Sequence, residues 1–320
     1  MFMSDNNMFG NVLDERYELL DQIGTRGRST VWLAFDKRFN INVAVKIIPN
    51  TSKMNILFAN KEINILKKIH HSGLPRFHDY IKTSEKIFII TTFVEGDSFE
   101  KILIQQGIQS EKRIINWGIQ LCDILTYLYH QQPQIIYAGL KMDNVVLKPD
   151  GVVVLTSLDN AIISENDKMF TLGTREYITS EKNTEKKIDE RSVVYSLGLI
   201  MYQLATGRKP DDTQKNLYYL KKCKEALCLK SVIKKCIHPN PEKRYQTIPD
   251  ILIKLDACRK KRELIFFKLI WITIKKNFFT GFNKMSDSKV CEIDEIISME
   301  AVQYNADLLA TLQNEEKSFK

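Results

Sequence analysis

No Cys-x-x-Cys pair occurs anywhere in these 320 residues, and Cys122, Cys223, Cys228, Cys236, Cys258 and Cys291 follow no metal-ligand spacing. A zinc site built on paired cysteines is thereby excluded, and reduced, mostly structural thiols in a reducing compartment are expected. Glycine (13) and proline (8) are too sparse for a collagen-like or low-complexity chain. No apolar run approaches the roughly 20 residues of a membrane-crossing helix. The first residues, with Asp5, Asn6 and Asn7, lack the apolar core of a secretory signal, so no cleaved leader is expected. What remains suits one globular domain of about 250 residues with an appendage.

The net charge of +8 is unevenly placed. Residues 259–284 hold eight Lys/Arg and one acid, whereas 285–320 hold three basic and eight acidic side chains. The first 258 residues carry a modest excess spread over a large surface, which does not call for nucleic acid as a partner.

Periodicity separates a sheet-rich first third from a helical remainder. Val31–Phe35, Val43–Ile48 and Ile87–Phe93 read as strands, the second alternating at period two through Val43, Val45 and Ile47. Ile63, Leu66 and Ile69 predict a helix over Phe58–Ile69. Ile114, Leu121, Ile124, Leu125 and Leu128 share one face of a long helix, and Tyr195–Leu204 reads as a buried one. The predicted class is α+β, with a small sheet-rich lobe over 15–95, a large helical lobe over 96–257 and a ligand cleft between them. An N-terminal extension (1–14), a basic segment (258–284) and an acidic tail (285–320) complete the chain.

Ile23-Gly24-Thr25-Arg26-Gly27-Arg28-Ser29-Thr30-Val31 joins the first strand candidates. Glycines there let backbone N–H groups approach phosphate oxygens with no Cβ in the way, although a plain hairpin turn needs them equally. Val43-Ala44-Val45-Lys46 places a lysine at a strand end, and Glu62 on the next helix is positioned to pair with it. Alone, each reads as well as a solvated surface charge.

Together these segments resemble the protein kinase signature of glycine loop, Val-Ala-Ile-Lys and helix Glu. The resemblance continues in order. Ile90-Thr91-Thr92-Phe93-Val94-Glu95-Gly96 is similar to the hinge, with Thr91 as gatekeeper, and Leu140-Lys141-Met142-Asp143-Asn144 to the second half of the catalytic loop. Gly173-Thr174-Arg175-Glu176-Tyr177 and Thr179-Ser180-Glu181 are similar to the end of the activation segment. Tyr195-Ser196-Leu197-Gly198 resembles the buried helix F, and Arg244 stands where the family pairs an arginine with Glu181. The match runs from about 15 to 257 and is most similar to the bacterial serine/threonine branch. It implies a two-lobed kinase-like fold with ATP held by Ile23, Gly24, Val31, Ala44, Lys46, Glu62, Thr92, Val94 and Val146.

The departures bear on activity. Tyr137-Ala138-Gly139 stands where the family has His-Arg-Asp, so the aspartate that receives the substrate proton is Gly139. Asp143 does not replace it, because active relatives also carry an acid there. Ser157-Leu158-Asp159 stands where the family has Asp-Phe-Gly, exchanging a metal-binding carboxylate for a hydroxyl, a poor Mg²⁺ ligand. Asp159 sits two residues late on the same strand face, displaced by roughly 6–7 Å. Val193 replaces the aspartate that supports the catalytic loop, and Arg26 and Ser29 replace two loop glycines. No catalytic set is intact; Lys141 and Asn144 are remnants, and Asn144 and Asp159 are the metal candidates. The resemblance therefore implies a pseudokinase, the alternative being an active serine/threonine kinase with atypical residues. Two readings stand for its nucleotide end: a site that binds ATP weakly and with little dependence on Mg²⁺, or a Lys46–Glu62 pair kept as a structural tie of the small lobe. With Ala138 in place of the loop arginine, a phosphate on Thr171 or Thr174 lacks its usual partner.

Leu264–Ile274 holds nine apolar residues in eleven and is interrupted by Lys268. As helix it spans about 16 Å, half a hydrocarbon core. Lys261, Lys268 and Lys275 fall on one stripe, with Phe266, Phe267, Ile270 and Ile274 opposite and Trp271 at the border. The readings are a last helix docked on the large lobe, a segment over 259–276 lying on an anionic membrane surface, a helix for a partner's groove, or a strained span. A protein partner and a cytoplasmic location, peripheral to the inner face of the membrane, complete the expectation.

Overall fold

The structure, a computed structural model, describes residues 8–26, 29–137, 140–158, 161–163, 189–211, 213–222 and 227–262. Two compact units divide the chain, Met1–Lys260 and Lys261–Lys320. The second lies almost wholly outside the described residues, and with it the amphipathic and acidic segments.

The first unit opens with β1 (Val12–Leu13), β2 (Tyr17–Arg26), β3 (Ser29–Asp36) and β4 (Ile41–Pro49). After α1 (Lys53–Leu66) come β5 (Phe77–Lys82) and β6 (Lys86–Thr92), giving a six-stranded antiparallel sheet in the order β1-β2-β3-β4-β6-β5. Alternation sorts its side chains. Val43, Val45 and Ile47 are buried on one face with Trp32, Ala34, Phe88 and Ile90. Ala44, Lys46 and Ile48 face the other way, opposite Thr91, Ile89 and Ile87. Lys46 sits inside β4 rather than at its end, because pairing with β6 continues to Pro49–Lys86. The first helix also differs from expectation. It begins at Lys53, where the Ser52 side chain caps it by accepting from the Asn55 N–H at 3.1 Å, and it stops at Leu66.

β7 (Asp97–Ser98) leads into the helical lobe through α2 (Phe99–Gln106) and α3 (Glu111–Tyr129). β8 (Ile135–Tyr137), a 3₁₀ turn (Met142–Asn144), β9 (Val145–Leu147), β10 (Val153–Leu155) and β11 (Ala161–Ile163) follow. They pair as two small sheets, β10-β9-β7 and β11-β8. Then come α4 (Glu190–Thr206), α5 (Thr213–Lys222), α6 (Leu227–Cys236) and α7, helical over 248–262. α4 is the hub: Val193, Val194, Leu197, Leu199, Ile200, Met201 and Leu204 are all buried, as a helix apolar on nearly every side between Val193 and Met201 demands. Among the described residues no helix is long and apolar enough to cross a membrane.

The expectation of six reduced thiols is corrected. Cys228 of α6 and Cys258 of α7 form a disulfide between helices that pack side by side, 30 residues apart in sequence. Spacing along the chain carries no trace of such a pair, because the fold alone brings the two helices together. Cys122 and Cys236 are free and buried, and burial pushes both thiols well above their ordinary pKa.

Candidate functional site

Between the sheet and the helical lobe lies a cavity of about 630 Å³. Ile23, Gly24, Val31, Ala44, Lys46, Glu62, Thr92, Val94, Val146 and Ser157 all line it. Lys141 lies instead on a second cavity of about 480 Å³, sharing Asp143 with the first. Asn144 is buried at 4% exposure. Gly139, Asp159, Glu181, Thr171 and Thr174 are outside the described residues.

The strand register explains the roof. Ala44 and Lys46 project from the cleft face of β4, with Val31 opposite Lys46 on β3. A small residue at 44 leaves room for a flat ring, and Val31, Val94, Val146 and Ile23 supply apolar contact. Lys46 Nζ lies 2.7 Å from Glu62 Oε2, so α1 is tied to the sheet by a mostly buried ion pair.

Behind the hinge, the Thr92 N–H donates to the Arg76 carbonyl at 2.9 Å, and Thr92 Oγ1 lies 3.1 Å from His78 Nε2. Burial holds the His78 pKa below its ordinary value, which favours the neutral ring. Gly96 has φ +142°, and a Cβ there would stand 2.2 Å from the Leu147 carbonyl oxygen. Only glycine lets the chain pass β9 so closely.

The floor is held by hydrogen bonds. The Tyr137 hydroxyl donates to the Ser157 carbonyl at 2.7 Å and accepts from the Asn144 Nδ2 at 3.1 Å. The Asn144 carbonyl accepts from the Thr156 N–H at 2.8 Å. Val193 is buried within α4 and brings only methyl groups toward its neighbours.

Lys46 and Lys101 share this wall with the carboxylates of Glu62 and Asp143, so its described side chains balance to zero. Lys101 carries no motif signal, although Asp97 four residues earlier, 2.5 Å from it in the fold, is a visible i,i+4 pairing. Thr25, Pro75, Phe93, Ser98, Thr156 and Leu158 also line the cavity and carry no residue-type signal of their own.

The arrangement accepts a planar ring with a short polar extension, and the described residues fit a nucleoside. They make a poor site for a divalent cation. Ser157 offers only a hydroxyl and Glu62 is committed to Lys46, so the described oxygen donors come down to the Asp143 carboxylate and the Asn144 amide oxygen. No group of three or more His, Cys, Asp or Glu placed to hold a metal occurs among the described residues.

The chain is similar to a probable serine/threonine-protein kinase of Clostridium acetobutylicum, 26% identical over 272 residues, covering 79% of this chain and 41% of the relative. It is also 26% identical to serine/threonine-protein kinase PknB of Mycobacterium tuberculosis over 265 residues, 75% of this chain and 42% of the relative. An Aurora kinase of Dictyostelium discoideum is 25% identical over 195 residues, 59% of this chain and 50% of the relative. The chain spans about two fifths of the length of the two bacterial relatives. The protein kinase domain family matches residues 17–256, from the first residue of β2 to within α7. With the two-lobed fold and the cleft between its lobes, a match of that extent places this chain in the protein kinase family.

Proposed function

We propose that this chain is a pseudokinase: a kinase-fold module that takes a nucleotide in its cleft and acts on a protein partner without transferring phosphate. The observation that carries the reading is Ser157 on the cavity wall, where the family resemblance expects a metal-binding carboxylate. Gly139 in the sequence removes the expected proton acceptor as well. A general base contributes about 10²–10⁴-fold and a metal several kcal/mol of charge stabilisation, so either loss alone is severe. Ile23, Val31, Ala44, Val94 and Val146 would hold the base and Lys46 a phosphate. Because Ser157 replaces a carboxylate and leaves a poor donor set for Mg²⁺, binding is expected to depend little on it.

The test is incubation with radiolabelled ATP and generic protein acceptors. No incorporation above a Lys46→Ala control is expected. Robust turnover that disappears in Asp159→Ala would install the second reading, an active serine/threonine kinase with atypical residues. That reading is favoured by the names of the relatives and by the closed Lys46–Glu62 pair. For binding, a nucleotide at 100 times its dissociation constant stabilises by about 2.7 kcal/mol, so thermal shifts with Mg²⁺ and with EDTA decide the metal question.

The segment 259–276 is proposed to hold the protein at an anionic membrane surface on the cytoplasmic side. Each flanking Lys or Arg contributes about 1 kcal/mol near such headgroups, and salt screens the attraction. Liposome sedimentation of the full chain and of a 1–258 truncation, at low and high salt, is the test. Indifference of the full chain to anionic vesicles overturns it.

A further inference from the structure

β5 pairs irregularly with β6, and the irregularity lies beside the hinge. Phe77 pairs with Thr91 but Asp79 with Ile90, so His78 is an extra residue, a bulge, in the strand that backs the cleft. We propose that His78 is a positioning residue that makes nucleotide affinity depend on pH: neutral, its ring steadies the hinge through Thr92, and protonated, it lets go. The inference deepens the nucleotide-binding reading above and rests on it.

A bulge re-aims side chains. In a regular strand His78 and Asp79 point to opposite faces, whereas here both serve the face turned away from the cleft. Asp79 stands opposite Ile90 and accepts from the Tyr17 hydroxyl at 3.3 Å, while His78 Nε2 lies 3.1 Å from Thr92 Oγ1. Thr92 is the last residue of β6 and pairs with Val43, which is buried on that outer face; Thr91 pairs with Ala44 on the cleft side. The Thr92 hydroxyl thus turns from the cleft, and the residue meets the cavity through its backbone. Its N–H is held by the Arg76 carbonyl at 2.9 Å. Side chain and backbone together fasten the point where the sheet ends and Phe93 and Val94 begin to line the cavity.

The surroundings of the ring resist a second proton. Burial opposes the charge most; Asp36 at the end of β3 favours it, and Arg16 before β2 and Arg76 before β5 oppose it. Arg16 and Asp36 are joined by two bonds of 2.9 and 2.6 Å and largely cancel, which leaves the Arg76 cation to repel an imidazolium. The ring is therefore neutral at neutral pH. A neutral imidazole offers Thr92 either a donor or an acceptor; an imidazolium only donates, so the Thr92 hydroxyl must turn its hydrogen elsewhere. His78 is also exposed on one side, and the charged ring regains its hydration by turning into water. Acid thus releases the Thr92 side chain and leaves the hinge held by one backbone bond.

The experiment uses the full chain and fluorescent N-methylanthraniloyl-ADP as probe, titrated between about pH 5 and about pH 8. His78→Gln keeps a side-chain amide that reaches Thr92 and does not titrate, whereas His78→Ala removes the contact. At neutral pH the parent and His78→Gln are expected to bind alike, and His78→Ala about threefold to tenfold more weakly, the loss of one net hydrogen bond. As pH falls through the pKa of the ring, below its ordinary 6.5, the parent should lose that same factor relative to His78→Gln. Taking the ratio removes the titration of the probe's own phosphate. Thr92→Val deletes the hydroxyl and keeps the shape; combined with His78→Ala it should cost no more than His78→Ala alone. Linkage supplies a signature that a merely structural histidine lacks: if protonation weakens binding, the probe must lower the pKa of the ring by the same factor in its acid constant. The imidazole resonance, assigned by its absence in His78→Gln, reads this by NMR. Should His78→Ala not fold, the His78→Gln ratio and the resonance still decide. A ratio of parent to His78→Gln that is constant across the range, or a ring pKa indifferent to the probe, overturns the proposal and leaves the nucleotide reading in place. A parent that binds no probe at any pH overturns the nucleotide reading and this role of His78 with it.

Discussion

Glu62 is shut in at 5% exposure with its carboxylate 2.7 Å from Lys46 Nζ, so the ion pair that joins α1 to β4 is nearly dry. In such surroundings the loss of one partner costs more than the loss of both, because the survivor is left charged and unpaired.

Glu62→Ala is therefore expected to destabilise the protein by about 3–5 kcal/mol. Lys46→Met with Glu62→Leu should cost clearly less than the two single changes summed. Urea unfolding of the four proteins measures the coupling, and strict additivity would show the pair to be solvated.

Backbone constraint separates two glycines. Gly107 has φ +70° with ψ −155°, a region open essentially to glycine alone, so Gly107→Ala is expected to cost about 1–3 kcal/mol even though a Cβ would meet open space. Gly96→Ala adds a clash with the Leu147 carbonyl to an unfavourable φ and should cost at least about 3 kcal/mol. Comparable unfolding midpoints for the two variants would show that the chain at 96 can move away from β9.

Glu190 gives stability a pH dependence. Burial raises its carboxyl pKa above the ordinary 4.5, although the Ile248 N–H at 2.6 Å and the Tyr129 hydroxyl hold the charged form. A raised carboxylate favours the folded state when protonated, so its contribution is complete below about 4.5 and is lost as pH rises through the higher folded value. Glu190→Gln keeps an acceptor for Ile248 and removes the charge. Its stability relative to the parent should rise between pH 4 and pH 8; a constant difference across that range counts against the assignment.

The Cys228–Cys258 bond closes a loop of 30 residues, for which chain entropy gives about 3–4 kcal/mol. Reductant should lower the melting temperature, and Cys228→Ser/Cys258→Ser should match the reduced parent and ignore reductant. Equal melting with and without reductant would remove the bond from the stability of this fold.

Much of this architecture is legible in the sequence because it follows from alternation and ordered motifs. Val43, Val45 and Ile47 declare one face of β4, and the run from Ile23 to Arg244 places the cleft. What escapes depends on partners distant in sequence. Nothing around Cys228 points to Cys258, since α6 and α7 meet only through packing. Tyr137 reads in sequence as the remnant of a lost motif, and its bonds to Ser157 and Asn144 emerge only when the fold brings the end of β8 to the 3₁₀ turn and to the segment after β10. The start of α1 is hidden for a smaller reason: Ser52 is a cap whose effect reaches past the apolar spacing.

The core is built as two separate bodies. One fills the outer face of the sheet around Trp32, Val45 and Phe88, whereas the other runs without a break from Ile87 and Ile89 through Ile63, Leu66 and Ile69 into α3 and α4. The loop after α1 is fastened to the helical side as well, by the Tyr127 hydroxyl accepting the His70 N–H at 2.7 Å and by the Leu155 N–H donating to the Gly73 carbonyl at 2.9 Å. Any rocking of the sheet over the cleft thus pivots about a foot planted in the large lobe. In such a movement the anchored C-terminal end of α1 would shift less than the strands above it, and the Lys46–Glu62 pair between them would take up the difference.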